Sequence, residues 1–300
     1  MNKNILITGA KGFLAQNLAK TLSKKKFIIY GMGHGKLSDN EQKKLGYKEF
    51  ISGSISEKNL NKISKKIDII IHCAGKSIGY EPLRDFNKNS LSTYILLDHI
   101  SKLKKKPKIY FTSSIAVGVK NKKKINEKNN FMPFSHYGLN KKISEDICKF
   151  YVKKFKLNIT ILRISSLFGV GLKKQFIYDA IIKIINNDNF FWGTGKEVRD
   201  FIHINDICEV IYRLIDIKQS GLEIYNCGSG NLYTTKEVIK IIQSLIGKEY
   251  PVFFDGQGMD RNPRYLIPSI KKIKDKIKFN SNRNFIQDIN EQIENISKKK

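Results

Sequence analysis

The chain has 300 residues, 41% of them hydrophobic, which is enough apolar material to bury the core of a large domain or of a domain plus a smaller lobe. Lys and Arg number 55 against 27 Asp and Glu, a formal charge of +28, but only seven of the basic residues are Arg. Since Arg is the side chain that reads phosphates and bases bidentately, this balance favours solvated lysine-rich faces over a specific nucleic-acid interface.

No apolar run approaches the roughly twenty residues that a membrane span requires, and we expect no signal peptide before the first predicted strand. The four cysteines lie far apart and form no C-x-x-C pair, so their spacing indicates neither a zinc site nor a disulfide framework. They are Cys73, Cys148, Cys208 and Cys227. We therefore expect a cytoplasmic protein with reduced thiols and no metal ion.

Strand-like and helix-like segments alternate through the first half of the chain. Apolar runs predict strands at 4–8, 27–30, 67–72, 108–113 and 159–163. Helical spacing predicts helices at 13–22, 57–63, 90–103 and 138–154. Because the strands are almost continuously apolar, the pattern predicts an α/β fold: a doubly wound parallel sheet of the Rossmann type, with helices on both faces.

After residue 170 this alternation loosens into shorter strands and amphipathic helices. Helices are predicted at 176–185, 205–215, 235–246, 269–277 and 285–296, with short strands at 190–193, 198–203 and 223–226. We assign residues 1–170 to a nucleotide-binding domain, with contributions from about 203–226. Residues 171–300 are predicted to form mainly a smaller C-terminal substrate lobe.

The segment TGAKGFLA follows the first strand directly and opens the first helix. Gly9 allows the tight turn, and Gly12 lets the backbone approach a pyrophosphate that the helix N-terminus attracts. Phe13 and Leu14 begin the helix beside this turn, and Ala15 permits close packing of helix on strand. A glycine turn placed between a strand and a helix predicts a dinucleotide site.

The spacing T-G-x-x-G-x-x-A resembles the short-chain dehydrogenase/reductase superfamily, and the later motifs resemble its extended branch of nucleotide-sugar epimerases, dehydratases and reductases. The resemblance spans nearly the whole chain. It implies a Rossmann fold, an NAD(P) cofactor, a nucleotide-diphosphate sugar as substrate and an oxidoreductase of polysaccharide biosynthesis. A homodimer is expected as well.

The end of the second strand bears on the choice of cofactor. NAD-specific Rossmann enzymes usually place an acid there on the ribose 2′-hydroxyl, but this chain has Gly33 followed by His34 and Lys36. Both side chains suit a 2′-phosphate. We therefore expect NADP(H), with NAD(H) as the alternative.

Two further segments resemble cofactor-lining motifs of the family. The residues at 53–55 read Gly-Ser-Ile where the family has Gly-Asp-Ile, so Ser54 and Ile55 inherit only the backbone part of that contact. The run HCAG resembles H-x-A-[AG] after the fourth strand. Cys73 and Ala74 are predicted to line the cofactor, and His72 to be structural.

The catalytic group of the family is Ser, Tyr and Lys. Tyr137 and Lys141 lie one turn apart on one face of a predicted helix, within PFSHYGLNK, which resembles P-x-S-x-Y-G-x-S-K with Asn140 in place of Ser. The Lys ammonium, with the positive nicotinamide, is expected to lower the pKa of Tyr137 toward neutrality. Ser114, in FTSSIAVG, matches the family's catalytic hydroxyl, and Asn89 its supporting Asn.

The loop after Ser114 reads Ile-Ala and carries no carboxylate, whereas the family's 4,6-dehydratases have T-D-E at this point. We therefore expect no dehydration.

The stretch GTGKEVRDFIHIND resembles the family's G-x-G-x-x-x-R-D-[FY]-[IV]-H-V-x-D. The resemblance implies that Arg199 binds the diphosphate and that Arg261 is a second diphosphate ligand. Asp200, Asp206 and Arg163 are expected to be structural.

Three functions fit these residues. The favoured one is NADPH-dependent reduction of a nucleotide-linked 4-keto sugar at C4, in which Tyr137 donates the proton, Ser114 orients the oxygen and Lys141 holds the ribose. The alternative is an NAD-dependent nucleotide-sugar 4-epimerase or C4 dehydrogenase. A third, remote alternative is a non-catalytic member that senses the cofactor or binds RNA.

Overall fold

The computed structural model describes residues 3–63, 66–75, 82–118, 124–129, 131–257 and 263–298. The chain divides into two units. Unit 1 consists of Met1–Val117, Ser135–Arg163 and Cys208–Tyr225, and unit 2 of Gly118–Phe134, Ile164–Ile207 and Asn226–Lys300. The boundary predicted at residue 170 lies within unit 2, which also includes segment 118–134 of the predicted first domain.

The strands, in chain order, are β1 Asn4–Thr8, β2 Ile28–Gly33, β3 Glu49–Ser52, β4 Ile69–His72, β5 Lys108–Ser114, β6 Ile159–Ile164, β7 Ser166–Phe168, β8 Phe190–Phe191, β9 Val198–His203, β10 Leu222–Cys227, β11 Leu232–Thr234, β12 Phe253–Phe254 and β13 Tyr265–Leu266. The helices are α1 Phe13–Lys24, α2 Asp39–Leu45, α3 Glu57–Asn61, α4 Pro82–Phe86, α5 Ser92–Ser101, α6 His136–Phe155, α7 Phe176–Ile185, α8 Ile204–Ile215, α9 Thr235–Ile246, α10 Lys271–Ile277 and α11 Phe285–Ser297. A π-helix, Asn87–Leu91, joins α4 to α5, and a 3₁₀ turn, Ile115–Val117, follows β5.

Unit 1 is built on a seven-stranded sheet in the order β10-β6-β5-β4-β1-β2-β3. The pairs β1–β2, β1–β4, β2–β3 and β4–β5 are parallel. Strand order reverses between β1 and β4, which is where open α/β sheets form a ligand crevice beyond the carboxyl ends of their strands. The predicted doubly wound Rossmann fold is confirmed.

The core of unit 1 forms where apolar residues of successive strands share one face of the sheet. Leu6, Ile70, Ile109 and Ile161 come from β1, β4, β5 and β6, and they belong to one buried cluster with side chains of α5 and α6. Each fully buried aliphatic side chain contributes about 1.5–3 kcal/mol. This packing fixes the carboxyl ends of β1, β4 and β5, from which the site is built.

Helix α6 buries polar as well as apolar side chains. Ser135 caps its N-terminus by accepting a hydrogen bond from Gly138 N–H, and Lys156 ends it in the left-handed conformation. Its buried residues include Asn140, Lys141 and Glu145. A helix that buries charged side chains needs partners for them, and those partners come from β5 and β6.

Unit 2 contains a sheet centred on β9, which pairs antiparallel with β11 and parallel with β13 and β7. A second core cluster packs isoleucines of α7, α9 and α11 around aromatic rings that include Phe168, Phe201 and Phe285. None of the helices in the described part of the chain has the length and hydropathy that a membrane span needs.

Gln175, the residue before α7, has φ 73° and ψ 165°, a backbone region that is essentially restricted to glycine. We expect Gln175→Gly to raise the free energy of unfolding by about 1 kcal/mol, because the strain it removes exceeds the extra entropy of the unfolded chain. Chemical denaturation measures the change. Gln175→Ala is the control, since it shortens the side chain but keeps the Cβ; equal stability of the two variants would contradict the prediction.

Candidate active site

The glycine-rich loop between β1 and α1 passes close to the segment that follows β4. Gly9 has φ +66°, and a Cβ there would lie 2.8 Å from the backbone of Ala74. Gly12 is the N-cap of α1 and provides no side-chain cap for the first turn, which begins with Phe13 and Leu14. Open backbone N–H groups at a helix N-terminus attract phosphate. The loop therefore fits a dinucleotide pyrophosphate.

The end of β2 packs closely against the backbone of the glycine-rich loop, and basic side chains lie on the turn that follows it. Gly33 is buried, and a Cβ there would lie 3.3 Å from Ala10 N. His34 and Lys36 are exposed. Lys11, from the glycine-rich loop, donates from Nζ to the Lys36 carbonyl at 3.4 Å. Sequence analysis missed Lys11 because only the fold brings the loop onto this turn.

The remaining predicted cofactor residues lie at strand ends of the same sheet. Ser54 follows β3 and is exposed, and its carbonyl accepts a hydrogen bond from Asn59 Nδ2 at 2.9 Å. Ile55 packs against the core of unit 1. Cys73 is half-buried after β4, and burial raises the pKa of its thiol to about 12. Their contacts with a cofactor stay predictions.

His72 is part of a buried hydrogen-bond network below the glycine-rich loop. Its Nδ1 is 2.7 Å from Thr8 Oγ1 and its Nε2 is 3.1 Å from Thr93 Oγ1. Thr93 Oγ1 also donates to the Asn89 carbonyl, at 2.8 Å. Burial, with Lys141 nearby, lowers the pKa of His72 to about 3, so the ring is neutral at physiological pH. These contacts fit a structural role.

Ser114, Tyr137 and Lys141 lie together in unit 1, where β5 ends and α6 begins. The Ser114 side chain lies close enough to the Tyr137 hydroxyl to lower its pKa. Lys141 is 5% exposed, and its Nζ donates to the Thr112 carbonyl at 2.7 Å. The same Nζ lies 6.0 Å from the centre of the Tyr137 ring. The two hydroxyl groups and the ammonium therefore lie near one another, where β5 ends and α6 begins.

The expected lowering of the pKa of Tyr137 is not what the protein's own side chains produce. Burial raises the pKa of Tyr137, and the nearby Ser114 side chain offsets only part of this rise. Burial also lowers the pKa of Lys141 to about 8. Desolvation of the phenol thus opposes the lowering that we expect from the ammonium together with the positive nicotinamide, and that lowering stays a prediction.

Unit 2 carries the predicted substrate residue Arg199 on β9. It is 7% exposed, and its Nη1 donates to the carbonyls of Val198 (2.8 Å) and Arg264 (3.5 Å). Burial lowers the pKa of Arg199 to about 10. Asp200 accepts hydrogen bonds from Ser229 N–H and other neighbours, as expected of a structural carboxylate.

Arg261 and Asp206 are the remaining predicted residues of the substrate lobe. Arg261 lies outside the described residues. Asp206 accepts a hydrogen bond from Ser281 Oγ at 2.6 Å, which fits the expected structural role. Among the described residues, no group of three His, Cys, Asp or Glu side chains is placed to hold a metal ion.

The parallel sheet, the glycine-rich loop and the Ser-Tyr-Lys cluster are together typical of the short-chain dehydrogenase/reductase superfamily, whose Rossmann fold binds a dinucleotide. Residues 5–228 match the NAD dependent epimerase/dehydratase family, and the chain belongs to this family. The family resemblance noted in the sequence is thereby confirmed.

Individual relatives differ in their reactions. A UDP-glucose 4-epimerase of Mycoplasma genitalium is 27% identical over 275 residues, 81% of this chain and 80% of that protein. A GDP-6-deoxy-D-talose 4-dehydrogenase of Aggregatibacter actinomycetemcomitans is 26% identical over 245 residues, 79% and 78% of the two chains. The structure of a UDP-glucuronic acid 4-epimerase from Bacillus cereus, solved with UDP-glucuronic acid and NAD, matches with a TM-score of 0.89 at 21% identity, over 99% and 100% of the chains. These comparisons do not support the expected preference for NADP(H).

Gly9→Ala is expected to weaken dinucleotide binding at least tenfold, because the new Cβ would collide with the Ala74 backbone and push the loop off its position. Gly35→Ala is the matched control: its φ is also positive, at +78°, but the nearest atom to its Cβ is the flexible end of Lys11. Titration of both variants with NAD⁺ and NADP⁺ tests the difference. Equal losses would show that backbone strain, and not the collision, is responsible.

Proposed function

We propose that the protein is an NAD-dependent nucleotide-sugar 4-epimerase. The observation that carries the proposal is the cluster of Ser114, Tyr137 and Lys141 at the end of β5, in the same unit as the Gly9 loop. A tyrosine that accepts a proton during oxidation donates it during reduction, so one cluster serves both halves of an epimerisation. The 4-epimerase among the relatives and the NAD in the similar structure favour this reading over the NADPH-dependent reductase.

Each side chain has one task in this reaction. When bound, the dinucleotide supplies a nicotinamide that exchanges a hydride with C4 of the sugar. Tyr137 takes the proton of the C4 hydroxyl as C4 is oxidised, and returns a proton to the oxygen as the ketone is reduced from its other face. Ser114, beside the Tyr137 hydroxyl, orients the C4 oxygen. Lys141 holds the cofactor ribose and stabilises the deprotonated Tyr137 against the rise in its pKa caused by burial.

The turn after Ser114 bears on a competing reaction of the family. Residues Ile115–Val117 form a 3₁₀ turn with apolar side chains only. Expulsion of water across C5–C6 needs an acid and a base near those carbons. We therefore propose that the reaction stops at redox chemistry on C4.

The test is to incubate the purified protein with NAD⁺ and, separately, UDP-glucose, UDP-galactose and UDP-glucuronic acid, and to follow inversion at C4 by ¹H NMR. We expect one of these sugars to interconvert with its C4 epimer without net formation of NADH. Net NADH formation would identify a C4 dehydrogenase. No change in any of them would contradict the proposal.

A second candidate is the NADPH-dependent reductase of a nucleotide-linked 4-keto sugar. It is favoured by the basic turn at the end of β2, where Lys11 and Lys36 meet and Gly33 replaces the usual acid. Oxidation of NADPH in the presence of a nucleotide-linked 4-keto-6-deoxy sugar, together with failure of the epimerase test, would establish it. Tighter binding of NADH than of NADPH would count against it.

Arg199→Lys is expected to lower affinity for the nucleotide sugar about tenfold while affinity for the dinucleotide stays the same. Lysine keeps the charge but loses the planar fork that suits two phosphate oxygens at once. Isothermal titration with UDP and with NAD⁺ separates the two effects. Unchanged UDP binding would remove Arg199 from the substrate site.

A further inference from the structure

A buried carboxylate lies one helical turn beyond Lys141 on α6. Glu145 is 0% exposed. Its Oε1 accepts hydrogen bonds from Ser113 Oγ at 2.6 Å and from Arg163 Nε at 2.9 Å, and its Oε2 accepts one from Arg163 Nη2 at 2.6 Å. Arg163, on β6, is 1% exposed. One carboxylate thus joins α6 to β5 and β6.

Glu145 and Lys141 attach α6 to neighbouring residues of β5. Lys141 Nζ donates to the carbonyl of Thr112, and Ser113, the next residue, donates to Glu145. Residues four apart lie on the same helix face. The two hydrogen bonds together determine where Lys141 Nζ lies along β5.

Several groups surround the Lys141 ammonium. From β4 and the segment after it come His72, which is neutral, and the Cys73 thiol, whose pKa is raised. The Phe111 ring of β5 is 5.0 Å away, and α6 contributes Tyr137, Cys148 and Glu145. From the π-helix, Asn89 lies beside Gly75 near the same ammonium. Within this set, Glu145 is the one carboxylate side chain.

We propose that Glu145 is the positioning residue for Lys141: held by Arg163 and Ser113, its carboxylate fixes Lys141 Nζ on β5 and keeps the ammonium charged inside a buried site. Arg163 occupies the carboxylate, so Glu145 forms its ion pair with Arg163 and Lys141 Nζ stays on the Thr112 carbonyl. The inference rests on the proposed function, in which the charged Lys141 holds the ribose and stabilises the deprotonated Tyr137.

The double variant Glu145→Leu/Arg163→Met tests the proposal, because it replaces the buried pair by apolar side chains of similar size and leaves no charge unpaired. The pKa of Lys141 is read from a ¹³C NMR titration of its ε-methylene, assigned by loss of the signal in Lys141→Met. We expect a midpoint of about 8 for Lys141 in the wild-type protein. This midpoint is well separated from those of surface lysines, which lie near about 10.4. In the double variant we expect the midpoint to fall by about one unit, and the alkaline limb of kcat to move with it.

Arg213→Met is the control, because it breaks the exposed pair with Glu209 on α8 and leaves the buried pair of Glu145 and Arg163 intact; its Lys141 midpoint should stay in place. A folded double variant with an unchanged midpoint overturns the proposal. If the Lys141 midpoint falls but the alkaline limb of kcat does not move, Glu145 has no role in the reaction. Absence of turnover in the wild-type protein contradicts the proposed function alone, since the NMR midpoint still tests Glu145.

Should the double variant fail to fold, Arg163→Lys takes its place. It keeps both charges but loses the bidentate contact with Glu145. We then expect kcat to fall about tenfold or more with KM for the nucleotide sugar unchanged, because a small displacement of Lys141 weakens the reacting geometry and not substrate binding. An unchanged kcat overturns the proposal.

Discussion

Tyr137→Phe is expected to lower kcat for the nucleotide sugar by about 10²–10⁴-fold while leaving its affinity nearly unchanged. The substitution keeps the ring and its packing but removes the hydroxyl that lies beside Ser114. Oxidation at C4 would then release its proton with no acceptor in place. Initial rates of C4 inversion, with ligand binding measured separately by calorimetry, test this expectation.

Two companion variants distinguish the roles within the cluster. Ser114→Ala should cost less than Tyr137→Phe, because the phenol remains and water can replace the lost hydroxyl. Lys141→Met should lower both kcat and affinity for the dinucleotide, since the ammonium acts on Tyr137 and on the ribose. Turnover by Tyr137→Phe close to that of the wild-type protein would show that the proton comes from another group.

The second large effect concerns stability. Arg163→Met is expected to reduce the free energy of unfolding by about 3–5 kcal/mol, because it leaves the Glu145 carboxylate buried without its cation. The two side chains are 1% and 0% exposed, so water cannot take the place of the guanidinium. Denaturation by urea, followed by circular dichroism, gives the change.

Adding Glu145→Leu to Arg163→Met should recover most of the lost stability, since the unpaired charge is then gone. As a control, Arg213→Met breaks the exposed pair of Arg213 with Glu209 on α8 and should change stability by less than about 1 kcal/mol. If the double variant is no more stable than Arg163→Met, the loss comes from packing around β6 and not from the buried charge.

Sequence patterns determined the Rossmann fold and the cluster of Ser114, Tyr137 and Lys141. The fold follows from local periodicity, since near-continuous apolar strands alternate with amphipathic helices. Tyr137 and Lys141 are one turn apart on one helix, so their proximity is a property of the chain itself. Ser114 was predicted from the resemblance of FTSSIAVG to the family's motif, because residue spacing by itself does not place the end of its strand beside that helix.

Tertiary structure alone decided the electrostatics of the site. The pKa of Tyr137 depends on how much water the fold removes from the phenol, which no spacing of residues encodes. Lys11 reaches the turn after β2 only because the loop after β1 packs there. Glu145, Ser113 and Arg163 lie on three elements that are separate in sequence, and they become partners because β5, β6 and α6 pack together and exclude water from the charges between them.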